Sequence, residues 1–301
     1  METISDRINS LSESQTIAMS QKSAELKAQG KDIINLSVGQ PDFHTPDHIK
    51  EAAIQAIHDN FTSYPPVQGY KDLREAIANK LKKENNLDCS ADQIIVSAGA
   101  KHSLANAIMS IINKGDEVII PAPYWVSYVE QVKLAEGKNV VVKTKLDNNF
   151  KMTPEQLREA ITPKTKAILL CSPSNPTGSI YSREELEALA KVVAESDHKI
   201  YVISDEIYEY INFEGKHESI SQFDSIKDQV IIINGVSKGY AMTGWRIGYM
   251  AAPLEIAKAC GKLQGQVTSG ACSIAQRASL TAITAKKDFT VEMNQAFKRR
   301  R

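Results

Sequence analysis

Between residues 50 and 284, short apolar runs alternate with longer stretches whose apolar side chains recur every three or four positions. That alternation predicts strand–helix units around a mainly parallel sheet. Residues 94–97 (Ile-Ile-Val-Ser) read as a strand, Ala98-Gly-Ala100 as a turn, and 101–113 as a helix with Leu104, Ala107, Ile108, Ile111 and Ile112 on one face. Residues 117–120 read as a second strand, stopped by Pro121 and Pro123, and residues 166–171 as a third, ended by Ser172-Pro-Ser-Asn-Pro-Thr-Gly178. A helix over 182–195 opens with Ser182 and Glu185 in capping-box spacing. Residues 199–204 and 230–233 give the fourth and fifth strands, and 246–251 a candidate sixth. Ahead of this region, a polar helix over 16–29, closed by Gly30, leads to residues 33–42, which read as a short strand and a turn. A last helix over 288–301 ends in Lys298-Arg-Arg-Arg301, a solvated helix end. The expected architecture is a three-layer α/β/α fold with a mainly parallel central sheet.

Composition narrows the setting. The 301 residues hold 36 basic and 36 acidic side chains, so neither nucleic acid nor an anionic membrane surface is an expected partner. Cys89, Cys171, Cys260 and Cys272 are widely separated, which argues against a disulfide framework or zinc site and fits a reducing cytoplasm. No metal is expected, and neither a signal pattern nor a membrane-length apolar run is present.

The most informative segment is Asn234 to Tyr249. It places Lys238 in a glycine-flanked turn just past a core strand, with Arg246 eight residues later. A lysine at the edge of a buried site loses its proton readily and attacks carbonyls, and an arginine suits a phosphate. In an open α/β sheet, ligands bind beyond the carboxyl ends of the strands. Gly99-Ala-Lys101, Tyr124-Trp125, Ser174 to Gly178, Asp205 to Tyr208 and Ser237-Lys238 all fall there. Each supplies something pyridoxal phosphate needs. Lys238 meets its aldehyde, and Asp205 keeps its ring nitrogen protonated. Asn175 and Tyr208 donate to its phenolic oxygen. Trp125 or Tyr124 offers a flat platform. The turn at Gly99, Ala100 and Lys101 opens a helix whose N-terminus favours the phosphate, joined by Arg246.

With these residues the chain resembles the fold-type I pyridoxal-phosphate aminotransferases of class I, in the branch of the bacterial aspartate aminotransferases. The matching motifs, in order, are Gly39-Gln-Pro-Asp42, Tyr64-Pro-Pro-Val-Gln-Gly69, Pro121 to Tyr128, Ser172 to Gly178, Ser204 to Tyr208 and Asn234 to Tyr249. The resemblance implies that Lys238 forms the internal aldimine and shuttles the proton at the α-carbon. It implies that Asp205 pairs with the pyridinium nitrogen, that Asn175 and Tyr208 hold the phenolic oxygen, and that Trp125 stacks on the ring. Arg246 and the backbone of residues 99–101 resemble the phosphate cradle. Tyr64 resembles a tyrosine that reaches the neighbouring subunit's phosphate, which implies a homodimer with shared sites. Gly39 matches a backbone contact to the substrate carboxylate; Lys101 and Thr16 match positions near a dicarboxylate's distal group. The family's pattern then divides the chain into an N-terminal arm and small-domain segment (1–45), a cofactor-binding large domain (46–285), and the start of an interdomain helix (286–301).

Two departures stand out. Relatives often carry a serine three residues before the lysine, where this chain has Gly235; Ser237 is the expected substitute. Family members also continue for about a hundred further residues, an ordinary size for a small module. That part carries the arginine that clamps the substrate's α-carboxylate. The expectation is therefore a transaminase sequence, with aspartate and 2-oxoglutarate as first substrates, in a chain that binds cofactor and turns over poorly. The alternatives are an aromatic, prephenate or kynurenine aminotransferase, a related lyase, or a truncated cofactor-binding product. A dinucleotide enzyme is disfavoured, because no Gly-x-Gly-x-x-Gly follows the first strand.

Overall fold

Residues 3–13, 15–36 and 39–301 are described in the computed structural model. Seven strands form one sheet: β1 (Ile94–Ser97), β2 (Glu117–Ala122), β3 (Lys138–Lys143), β4 (Thr165–Cys171), β5 (Tyr201–Asp205), β6 (Val230–Gly235) and β7 (Gly248–Ala251). Their order is β1-β7-β6-β5-β4-β2-β3. Neighbours from β6 through β3 pair in parallel, while β7 is antiparallel to both β6 and β1. Six strands therefore share one direction and β7 alone opposes them.

Side chains alternate across a strand, and here the alternation feeds two separate cores. Val202, Ile232, Tyr249 and Ala251 face one core with helices Asp47–His58, Lys71–Glu84, Arg183–Ala194 and Ser273–Thr284. Ile203, Ile231, Ile233 and Met250 face the other, with helices Ala100–Ile111, Ser127–Leu134 and Leu254–Val267. Ile203, Ile231 and Ile233 have no exposed surface, and each such side chain contributes about 1.5–3 kcal/mol. The expected three-layer fold is what these two cores build.

Most elements stand where the apolar pattern puts them. The capping box is formed: Glu185 N donates to Ser182 Oγ at 3.2 Å, and Ser182 N to Glu185 Oε2 at 2.7 Å. Three expectations change. Pro121 does not stop β2, which runs to Ala122. The pairing with β4 covers only residues 117–119, so Pro121 lies where its missing N–H costs no bond to that neighbour. Residues 33–36 form no strand, and Ser37 and Val38 of that expected strand lie outside the described residues. The edge strand β3 is an addition; its apolar run is only Val140-Val-Val142 between Asn139 and Lys143, too short and too exposed to stand out in the sequence.

Candidate active site

Because six strands share a direction, the loops after β1, β2, β4, β5 and β6 leave the sheet at one edge, and β7 begins at that same edge. Arg246, two residues before β7, is brought to the strand-end loops by the antiparallel turn. These loops, with Thr16 and Gly39, enclose a cavity of about 570 Å³. Asp205, Tyr208, Ser237 and Lys238 come from two adjacent strand ends, Asn175 from the loop after β4, and Trp125 from the loop after β2. Ala100, Lys101 and Arg246 complete the wall.

Gly99 lies behind that wall. Its φ of +87° belongs to the left-handed region, and a Cβ there would come within 2.2 Å of Arg246 Nη2. Gly248 is constrained by close approach instead: a Cβ would stand 2.1 Å from Ala100 N, so β7 fits against the β1–helix turn only without a side chain. Gly235 is equally crowded, with Gly248 Cα 2.8 Å from a Cβ position. A serine at 235 has no room here, whereas the nearby Ser237 lines the cavity. Arg246 itself has φ +57°, a backbone costing about 1–2 kcal/mol for a residue with a Cβ. Its guanidinium donates to Thr243 O at 2.9 Å and to Ala98 O at 3.4 Å, which holds it over Gly99.

Lys238 is half-buried; its Nζ donates to Gly39 O at 2.6 Å and sits 5.6 Å from the centroid of the Tyr208 ring. Burial, then the nearby Arg246, pull its pKa below the usual lysine value, against the opposing pull of Asp205. Lys101 is lowered in the same way by burial and Arg246, and its Nζ lies 4.7 Å from the Trp125 ring centroid. Burial pushes the Asp205 carboxyl up to about 6, although Tyr128 Oη (2.7 Å) and Ile207 N (3.3 Å) donate to it. Asn175 Nδ2 donates to Tyr208 Oη at 3.2 Å. Three cations thus crowd one end of a cavity whose deeper wall holds a buried carboxyl. That charge pattern favours an anion at the cationic end.

Two placements differ from the rest. Tyr64 is 96 % exposed and does not line this cavity. Gly39 offers its carbonyl to Lys238. Tyr128 is the residue that sequence reasoning passed over. Its ring meets Trp125 edge-on at 5.4 Å and its hydroxyl fixes Asp205. The signal was its place three residues after Trp125, where both side chains share one face of a helical turn.

Residues 31–301 match the family described as aminotransferase class I and II. The chain is 48 % identical over 299 residues to the aspartate aminotransferase of Bacillus subtilis (strain 168), covering 99 % of this chain and 76 % of that protein. It is 47 % identical over 304 residues to a probable aspartate/prephenate aminotransferase of Rhizobium leguminosarum bv. phaseoli, with 100 % and 76 % covered. Among solved structures, the Thermus thermophilus aspartate aminotransferase with maleate superposes with a TM-score of 0.96 at 43 % identity, covering 100 % of this chain and 78 % of that one. The chain belongs to the class I and II aminotransferase family.

Proposed function

We propose that this chain binds pyridoxal phosphate at Lys238 and serves transamination between an L-amino acid, aspartate first, and a 2-oxo acid such as 2-oxoglutarate. The observation that carries this is one cavity holding a depressed lysine, a buried carboxyl and a converging set of cations. The donor set fits the cofactor. Arg246, Ser237 and the first turn of helix Ala100–Ile111 suit its phosphate. Asp205 suits the ring nitrogen, Asn175 and Tyr208 the phenolic oxygen, and the Trp125 indole the ring face. When bound, pyridoxal phosphate supplies an electron-withdrawing ring that stabilises negative charge at the substrate's α-carbon.

The protein's own part follows from the geometry. A lowered pKa keeps more of Lys238 Nζ as free amine, ready to bond to a carbonyl carbon and to carry a proton. Asp205, ionised above about 6, holds a proton on whatever nitrogen lies against it. Lys101 and Thr16 line the cavity together and suit the distal carboxylate of an acidic substrate. The Thermus relative was solved with maleate, itself a dicarboxylate, which supports this assignment. The protruding Tyr64 supports a homodimer in which each chain completes its partner's site. A cytoplasmic setting is in keeping with the dispersed cysteines; among the described residues no helix is long and apolar enough to cross a membrane.

Borohydride reduction of the chain with pyridoxal phosphate, followed by peptide mass analysis, is expected to place the cofactor on Lys238 and to find none covalently bound in Lys238→Ala. Labelling elsewhere, or none in the unaltered chain, overturns the reading. The name of the Rhizobium relative favours one second reading, prephenate as amino acceptor. Turnover of aspartate with prephenate but not with 2-oxoglutarate would select it.

A further inference from the structure

Behind Asp205 lies a second cluster of charge that the proposed chemistry does not use. Alternation along β5 sends Asp205 toward Tyr128 and sends Ser204 and Glu206 to the opposite face, against helix Lys71–Glu84. Glu206 is 1 % exposed and each of its oxygens accepts two hydrogen bonds. Oε1 accepts from Ser204 Oγ (3.0 Å) and Ser219 Oγ (2.6 Å); Oε2 accepts from Asn85 Nδ2 (3.1 Å) and His217 Nε2 (3.0 Å). Asn85 Nδ2 also reaches Glu209 Oε2 at 3.0 Å, and Lys80 Nζ lies 2.5 Å from both Glu209 oxygens. One oxygen each of Glu206 and Glu209 and a ring nitrogen of His217 lie within 4.8 Å of one another, and the cation bound there, on Glu209, is Lys80.

The charges facing His217 come from every element around it. Glu206 and Glu209 lie in the turn after β5, Lys80 and Glu84 on helix Lys71–Glu84, and Lys287 beyond helix Ser273–Thr284. The hydroxyls of Tyr210 and Tyr240 join Glu84 and Lys287, and Lys83, Lys216 and Lys298 stand at the exposed rim beside His217. The buried Glu206, Glu209 and Lys80, with the half-buried Glu84 and Lys287, set three carboxylates against two ammonium groups. A protonated His217, its side chain 8 % exposed, closes that balance.

We propose that the Glu206–His217 pair, anchored through Asn85 to the Lys80–Glu209 ion pair, is a positioning device that sets the charge on Asp205. It rests on the functional reading above, in which Asp205 works as a carboxylate against the cofactor's ring nitrogen. Glu206 is the next residue in the chain, so its negative charge opposes ionisation of Asp205; His217 offsets that charge from the far side. The turn itself is held in place: Glu206 N donates to Ile233 O at 2.8 Å and Glu209 N to Glu206 O at 3.0 Å, so Asp205 and Tyr208 cannot move without unseating the network.

The test is the affinity of the full 301-residue chain for pyridoxal phosphate, measured by absorbance titration across pH. Affinity is expected to fall on the acid side as Asp205 takes a proton. His217→Gln keeps a donor to Glu206 but removes the positive charge, and is expected to move that acid limb upward by roughly 0.5–1 pH unit, less than the roughly 1–3 units of a charge in direct contact because His217 acts through Glu206. Glu206→Gln is expected to move it downward, and the double variant to return close to the unaltered chain. A merely structural role weakens binding in both single variants and moves neither limb. Shifts of the same sign, or none in a folded His217→Gln, overturn the proposal. If Glu206→Gln unfolds, His217→Lys decides instead: the added ammonium keeps the limb in place if charge is what matters, and a limb displaced as in His217→Gln overturns it. Failure of the unaltered chain to bind the cofactor at any pH sinks the functional reading, and this proposal with it.

Discussion

The turn from Asp205 to Glu209 has two sides that treat the same chemistry in opposite ways. On the core side, Glu206 and Glu209 have every oxygen occupied by a donor. Burial works against Glu209's charge, yet Lys80 and then His217 overcome it and hold its carboxyl below the ordinary value. On the cavity side, Asp205 is as deeply buried but has two donors, and burial wins. Lys80 is bound bidentately to a carboxylate, whereas Lys238 has one carbonyl and a neighbouring arginine. One side has its electrostatics satisfied within the fold. The other is left wanting a partner, which is how a binding site stores affinity at the expense of stability.

Replacing a lysine on each side by methionine tests that contrast most severely. Lys80→Met strands the Glu209 carboxylate in the core, and breaking one half of a buried pair costs about 3–5 kcal/mol. Lys238→Met removes a charge that its surroundings already disfavour, so stability is expected to stay within about 1 kcal/mol of the unaltered chain. Urea unfolding of the two variants compares them directly. Equal losses would mean that the two sides are not electrostatically distinct.

The cavity side was far more legible in the sequence than the core side, and the reason is physical. Residues that serve a ligand sit in loops at strand ends, where Gly, Pro and Asn stand out; Lys238, Asp205, Asn175 and Arg246 could be named and all line the cavity. The convergence of their loops needed only strand direction. What strand counting did not reveal is that β7 runs backwards, which is why Arg246 arrives at the site at all. The core-side network has little local signature: Lys80, Asn85, Glu206 and His217 are scattered over more than 130 positions, and only Glu206 falls in a motif, the Ser204–Tyr208 segment, where it stands beside the more conspicuous Asp205. Tyr128 was hidden differently, as an aromatic beside a more conspicuous Trp125. Residues 33–36 were misread because Ile33, Ile34 and Leu36 look like a strand, yet Ile34 and Leu36 are 84 % and 91 % exposed and join no sheet.

A second, smaller contrast lies in the dependence of stability on pH. Asp205 stands at about 6 in the fold against an ordinary 3.8. The folded chain therefore binds its proton more tightly than the unfolded one. The stability this contributes is complete below 3.8 and is lost as pH rises through about 6. At about 1.4 kcal/mol per pH unit the loss is on the order of 2–3 kcal/mol. Asp205→Asn cannot titrate, so its stability relative to the unaltered chain is expected to climb by that amount across this window. A flat difference would place Asp205 in a far more polar setting than its burial implies.

The core side has its own window, which opens higher, at 6.5. Burial pulls His217 down, but Glu206 and Glu209 together outweigh it and hold the imidazole above its ordinary 6.5. A raised histidine contributes stability that is whole below 6.5 and disappears as pH climbs through the folded value. His217→Gln is expected to be less stable than the unaltered chain at pH 6, with the gap closing toward alkaline pH. The effect is the smallest of the three, because Lys80 and Asn85 remain to satisfy the carboxylates when the imidazole loses its proton. Two titration windows, one erased by Asp205→Asn and the other by His217→Gln, would separate the cavity side of the turn from its core side in a single set of melts. Loss of both windows in either variant would show instead that the two sides titrate as one coupled unit.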